Sequence, residues 1–243
     1  MLDWRSAVLI PCLCLSVACG KEQGEAGRTE AGESELLLDD EDQAGSAAAG
    51  SLVAPELPDT GEYKLRKGGT VSEIAKERYG SSHYTRLVLL HNGIRDAATL
   101  PIGKTIKTPP MIDVFHASGV MTVVNQEMLL LLKARAQFRA VEGPVVAAYG
   151  DKPAWEAVEV PANVEAALNE VAETLEAAAD GFEKERAEVQ KTPEKLIVQL
   201  REAAKIARKM GEGTQGTPDV DGIHQRLGNA MSYAILWHQH DYK

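Results

Sequence analysis

The sequence predicts an α+β chain in which a small β-α-α-β unit precedes a mainly α-helical bundle. Apolar residues recur at helical spacing through most of the second half. Two alternating segments flank two short helical patterns near the middle, and aromatic residues make up only 5% of the chain. We divide the chain into a signal peptide (1–18), a disordered linker (19–60), a small module (61–111) and a helical domain (112–243).

The N-terminus carries an export signal. Its apolar run, residues 7–18, follows Arg5 and is shorter than the roughly 20 residues that a membrane-spanning helix needs. The run ends in Leu15-Ser16-Val17-Ala18-Cys19-Gly20. This ending resembles a bacterial lipobox, which implies lipidation of Cys19, and Gly20 after the cysteine implies the periplasmic face of the outer membrane. An ordinary secretory signal cleaved near Ala18 and an uncleaved anchor are the alternatives.

Cysteine and charge placement limit the remaining chain. All 3 cysteines lie within the first 19 residues, which excludes disulfides, thiolate metal sites and a catalytic cysteine from the folded part. The linker carries eleven acidic and two basic residues over 20–60, with little apolar surface to bury, so we expect it to be a flexible tether. Residues 61–110 carry nine basic and four acidic residues and could meet an anionic polymer. The net charge of −10 argues against nucleic acid as a partner.

The module shows the order strand, helix, helix, strand. Residues 63–66 alternate apolar and charged side chains, as a half-exposed strand does. Thr70 or Ser72 can cap a first helix that Gly80 ends, and Ser81 or Ser82 can cap a second that stops at residues 92–93. After a loop over 96–103, residues 104–108 alternate again and predict the second strand.

This order and these residues resemble the LysM domain. The first part of the family pattern appears as Tyr63-x-Leu65-x-x-Gly68-Gly69-Thr70-Val71-x-x-Ile74-Ala75-x-x-x-Tyr79-Gly80. The second appears as Asn92, Leu100, Pro101-Ile102-Gly103, Ile106 and Pro109. Gly69 stands where the family usually has Asp, and Pro101-Ile102-Gly103 either adds one residue to the common Pro-Gly or shifts the turn.

The resemblance implies binding of N-acetylglucosamine in peptidoglycan, in a shallow groove between two loops. The first loop offers backbone that a sugar can approach, and the second offers apolar contacts for an acetyl methyl group. The glycan-binding residues that we expect are Gly68, Gly69, Thr70, Val71, Thr99, Leu100, Pro101 and Ile102. The alternative is that the glycines serve only turns, and that Val71 and Leu100 serve only the core.

The C-terminal half predicts four helices and resembles no known family. The first covers about 117–140 and is broadly apolar, and a connection over 142–161 follows, with Trp155 packed against the protein. The second covers about 162–190. The third opens at Thr192-Pro193 and the fourth at Thr217-Pro218. Their apolar residues, spaced by three and four, suit a helical bundle.

This half shows no catalytic motif. It contains no GxSxG, no phosphate-binding loop and no dinucleotide fingerprint, and we expect no cofactor. His224, His238 and His240 lack the spacing and companions of a metal site, so we interpret them as solvated histidines and expect no metal.

We therefore expect a non-catalytic lipoprotein of the cell envelope that binds peptidoglycan. Its lipid anchors it to a membrane, and its helical half presents a scaffold for an unidentified protein partner or for self-association. A cell-wall hydrolase with an unfamiliar helical catalytic domain is the first alternative, with carboxylates such as Glu127 in a cleft beside the module. A degenerate module used only for protein contacts is the second.

Overall fold

The computed structural model describes residues 61–153, 155–188, 193–214 and 217–241. Most of them are helical, and one small two-stranded sheet accompanies the helices, which confirms the coarse prediction of a predominantly helical α+β chain. The predicted signal peptide, Cys19 and the acidic linker lie outside the described residues.

The sheet pairs strand β1 (Gly61–Lys64) with strand β2 (Thr105–Thr108) in antiparallel register. Gly61 lies opposite Thr108, and Lys64 lies opposite Thr105. β1 begins two residues before the predicted strand, because the Thr108 hydroxyl accepts from the Gly61 amide and donates to the Gly61 carbonyl.

Two short helices connect the strands, as predicted. Helix α1 (Val71–Tyr79) begins at a capping box: Thr70 Oγ1 accepts from the Glu73 amide, and the Thr70 amide donates to the Glu73 carboxylate. Gly80 ends α1 with a φ of +85°, a conformation that glycine adopts without strain.

The second of these helices follows a 3₁₀ turn (Ser82–Tyr84), which Ser81 caps. It is helix α2 (Thr85–His91). Asn92 ends α2, and its side-chain amide joins the helix to the sheet. Its Oδ1 accepts from the Lys107 amide at 2.8 Å, and its Nδ2 donates to the Lys107 carbonyl at 2.8 Å. The strands and helices of the module therefore follow directly from residues that the sequence already marks as caps and turns.

The C-terminal half contains five described helices. They are α3 (Met111–Ser118), α4 (Asn125–Tyr149), α5 (Ala162–Glu188), α6 (Glu194–Gly211) and α7 (Val220–Asp241). Helices α4, α5, α6 and α7 pack against one another in chain order, and α7 returns to contact α4. Among the described helices, none combines the length and the hydropathy that crossing a membrane requires.

Neighbouring helices of this bundle run antiparallel. Arg201 and Arg208 of α6 bond Glu183 and Glu176 of α5, respectively. The partner's position falls as the arginine's position rises, so the two helices run in opposite directions. Both arginines thus tie α6 to the acidic face of α5. The Glu176 pKa is lowered, chiefly by its hydrogen bonds from Arg208.

The first helix predicted in this half differs from the structure. Residues 111–118 already form α3, which ends at Gly119 (φ +81°), and a 3₁₀ turn (Val120–Thr122) separates it from α4. The stretch 142–149, predicted as a connection, is the last part of α4, so the helix continues through Pro144. Trp155 is 89% exposed, so the prediction that it packs against the protein was wrong.

Burial explains why α4 continues past its proline. Val141, Val145 and Tyr149 are spaced by four residues and are fully buried. The Tyr149 hydroxyl donates to the carbonyl of Met210 on α6 at 2.9 Å, which fixes the end of α4 to the neighbouring hairpin. These contacts offset the hydrogen bond that a proline removes from a helix.

One continuous core runs through the module and the helices. It extends from Leu65 to Trp237, and Tyr84 of the module lies within it with no exposed surface. The domain boundary at residue 111 stays a prediction.

Candidate functional site

The two predicted glycan-binding loops leave the sheet at the same end. Beyond the last residue of β1, the Leu65 amide donates to the Lys104 carbonyl at 2.8 Å, and the Gly103 amide donates to the Leu65 carbonyl at 2.7 Å. Since Leu65 precedes the first loop and Gly103 ends the second, these two hydrogen bonds hold the loops side by side. The structure thus brings together residues that lie more than 30 positions apart in the chain.

The first loop is tightly turned and largely exposed. Gly68 is exposed with a φ of +80°, and the Gly69 amide donates to the Arg66 carbonyl at 3.0 Å. The Thr70 amide donates to Glu73, so the amides of Gly69 and Thr70 are both engaged within the protein. The Thr70 hydroxyl is exposed and accepts from the helix, which leaves its own proton available to a ligand.

Val71 does not present its side chain to this surface. It is only 3% exposed and lies on the buried face of α1 together with Ile74 and Ala75. The alternative that Val71 serves the core therefore holds for its side chain, and any contact with a ligand falls to its backbone.

The second loop holds an apolar side chain outward. Asp96 caps a 3₁₀ turn (Ala97–Thr99), after which Leu100 packs partly against the core. The Lys104 amide donates to the Pro101 carbonyl at 3.1 Å, closing a turn.

In this turn Gly103 has a φ of +84°, as the third residue of a type II turn requires. The turn places Ile102 at its corner, 67% exposed. Thr99 and Pro101 are also exposed, so the second loop presents an apolar side chain, Ile102, to solvent.

Two cavities in the described part of the chain lie away from these loops. The larger, of about 310 Å³, lies between the start of α6 and the end of α7, and Tyr233 and Trp237 contribute to its wall. The smaller, of about 110 Å³, lies where α2, α3 and α7 meet. The candidate glycan site is an exposed surface formed by the two loops.

A buried polar chain joins the module to the bundle, and sequence reasoning missed it. His224 on α7 is 3% exposed, so its interpretation as a solvated histidine was wrong. Its Nδ1 lies 3.2 Å from the Tyr84 hydroxyl, and its Nε2 lies 3.2 Å from Glu142 Oε2 on α4. An ionised carboxylate only accepts hydrogen bonds, so Nε2 carries a proton, and in the neutral ring Nδ1 accepts from Tyr84.

Aromatic rings and the Arg135 guanidinium surround this chain of hydrogen bonds. The His224 ring meets the rings of Tyr84 and Phe138 edge to face. Burial raises the pKa of Tyr84 to about 12, so this phenol stays protonated at physiological pH. The hydrogen bond from His224 lowers the pKa of Glu142, against an opposing effect of burial. This chain of hydrogen bonds connects Tyr84 of the module to helices α7 and α4.

Further contacts connect the module to helices α4 and α7. His83 Nε2 lies 2.9 Å from Asp221 Oδ1, and Arg135 of α4 donates to the Tyr79 carbonyl at 2.6 Å while its guanidinium covers the Tyr84 ring. The backbone carbonyl of His83 also lies directly against Gly228 of α7.

The two other C-terminal histidines differ from each other. His238 is 9% exposed, so its interpretation as solvated was also wrong, whereas His240 is exposed as expected. The helical spacing of His224, Leu227, Met231, Ile235 and His238 was the signal that could have revealed the burial. Within the described ranges, no group of three or more histidine, cysteine or acidic residues is placed to hold a metal ion.

Comparisons of the chain with protein-family models, with curated proteins and with solved structures give no match.

Proposed function

We propose that this protein is a non-catalytic lipoprotein of the cell envelope that binds the N-acetylglucosamine units of peptidoglycan through a LysM-like module, residues 61–111. Lipid on Cys19 anchors it, at the periplasmic face of the outer membrane, and the helices of residues 112–243 present a scaffold to a protein partner or to a second copy. The observation that carries the proposal is the pairing of two exposed loops at one end of a β-α-α-β unit, held by the hydrogen bonds of Leu65.

The exposed groups suit an acetylated sugar. Such a ligand offers an acetyl methyl group, an amide and several hydroxyls on a flat face, so its site needs a small apolar contact next to hydrogen-bonding groups. Ile102 supplies the apolar contact, and the Thr70 hydroxyl supplies a donor. Gly68 lacks a side chain and sits in open space, so a glycan can approach its backbone closely.

Co-sedimentation of the full chain with purified sacculi tests the proposal. Ile102→Ser should weaken binding by about fivefold, because partial burial of an isoleucine contributes on the order of 1 kcal/mol. Ile102 is exposed in the free protein, so the substitution should leave the unfolding midpoint unchanged. Val198→Ser is the matched control, because Val198 is 54% exposed on α6.

Three outcomes contradict the proposal. Sacculi that fail to retain the wild-type chain would favour a degenerate module that makes only protein contacts. Equal retention of Ile102→Ser and wild type would show that the loop surface is not the glycan site. A lytic band in a sacculus zymogram would favour the hydrolase; Glu127, the carboxylate suggested for that role, lies on α4 against Gly181 of α5.

A further inference from the structure

Four cationic side chains surround the candidate glycan surface. Lys64 ends β1, Arg66 and Lys67 begin the first loop, and Lys104 follows the second. All four are exposed, and within the part of the chain that the structure describes none of them forms a salt bridge.

Strand pairing places Arg66 near Ile102 and puts Lys64 on the same face of the sheet as Arg66. Leu65 is buried, and side chains alternate along a strand, so Lys64 and Arg66 project from the opposite, outer face. Beyond the pair of Lys64 and Thr105, Leu65 bonds both Lys104 and Gly103, so the next residue, Arg66, comes beside the turn that carries Ile102.

The nearby carboxylates compensate this positive charge only in part. Glu73 is committed to the amide of Thr70, and Asp96 is committed to the amide of Ala98. The other end of the sheet differs, because there Lys107 lies directly opposite Glu62. Four exposed cations and two carboxylates therefore leave a net charge of +2 around the two loops.

We propose that this surface selects glycan strands that carry free carboxylates, as the peptide stems of peptidoglycan do, over uncharged polymers of N-acetylglucosamine. The proposal rests on the proposed function and names the ligand class of the same site. A sugar held at Ile102 and Thr70 places the neighbouring peptide stems within reach of long lysine and arginine side chains. Each solvent-exposed charge pair changes an affinity by up to about fivefold, so several pairs acting on one strand give a measurable preference.

The test uses the full chain and four particulate ligands at low salt. They are untreated sacculi, sacculi stripped of phosphodiester polymers, the stripped sacculi with their carboxyl groups amidated, and chitin. We expect amidation to raise the apparent Kd by about tenfold, and chitin to bind no better than amidated sacculi, because both lack carboxylates. The preference should shrink at 0.5 M NaCl, where screening is strong.

A charge variant tests which residues cause the preference. Arg66→Gln/Lys67→Gln/Lys104→Gln should bind untreated sacculi as weakly as the wild type binds amidated sacculi. The control Lys152→Gln/Lys205→Gln/Lys209→Gln removes the same charge from exposed positions elsewhere and should bind as the wild type does. Equal unfolding midpoints would show that both variants remain folded.

The contrary outcomes are separable. Binding to sacculi that neither amidation nor the charge variant alters would overturn the carboxylate preference and leave the proposed function standing. Loss of binding on stripping the phosphodiester polymers would assign the cations to phosphate instead and overturn the preference as well. Failure of every preparation to bind would overturn both proposals.

Discussion

Gly228 of α7 provides a sharp test of how the module docks on the bundle. In an ordinary helix, replacing glycine by alanine stabilises the protein by about 1 kcal/mol. A Cβ on Gly228, however, would lie 2.5 Å from the His83 carbonyl oxygen and 3.0 Å from its carbon. Both atoms are backbone, fixed between the Ser81 cap and helix α2, so they cannot rotate away.

The clash should reverse the usual sign of the substitution. Relief requires a separation of nearly 1 Å between α7 and the 3₁₀ turn, and overpacking of this kind costs about 1–3 kcal/mol. After the gain in helix propensity, Gly228→Ala should be about 1 kcal/mol less stable than the wild type in urea unfolding at 25 °C.

Gly211→Ala is the matched control. Gly211 is also helical and buried, but its nearest neighbour would lie at 3.5 Å from the new Cβ, an ordinary contact distance. This substitution should be neutral or stabilising. If Gly228→Ala raised the unfolding midpoint as much as Gly211→Ala does, the close packing of the module on α7 would be refuted.

Two further predictions concern the buried chain between Tyr84, His224 and Glu142. Tyr84→Phe keeps the ring but leaves His224 Nδ1 buried without its partner, and should cost about 1–3 kcal/mol in urea unfolding; an unchanged midpoint would contradict the hydrogen bond. For Glu142 the folded pKa lies below its ordinary value of 4.5, so its contribution is present above that pH and is lost as the pH falls through the lower folded value. Glu142→Gln should therefore be about 1 kcal/mol less stable than the wild type near pH 7, and this difference should shrink as the pH of the urea unfolding experiment is lowered below 4.5. A difference that stayed constant with pH would show that the charge of Glu142 does not matter.

Local chemistry made the module predictable. Thr70 with Glu73, Gly80, Ser81 and Asn92 act on backbone within a few residues, so their roles as caps and stops can be inferred without knowing the fold. The exact start of β1 was less accessible, because the pairing of Gly61 depends on Thr108, which is 47 residues away.

For the candidate site too, the sequence predicted some features and the tertiary structure decided others. The sequence identified both loops, but the exposure of Ile102 and the burial of Val71 depend on the turn at Gly103 and on the packing of α1. The juxtaposition of the loops comes from the hydrogen bonds of Leu65, which only the register of the strands determines.

In the bundle, the sequence by itself determined α5, α6 and α7, because their apolar residues keep a three-and-four spacing over many turns. Only the tertiary structure decided that α4 continues through Gly143 and Pro144, since the energy that compensates a helix breaker comes from distant neighbours such as Met210. The same holds for His224. A histidine is polar in any sequence pattern, and its burial becomes favourable only when Tyr84 and Glu142, from two other parts of the chain, satisfy both of its nitrogens.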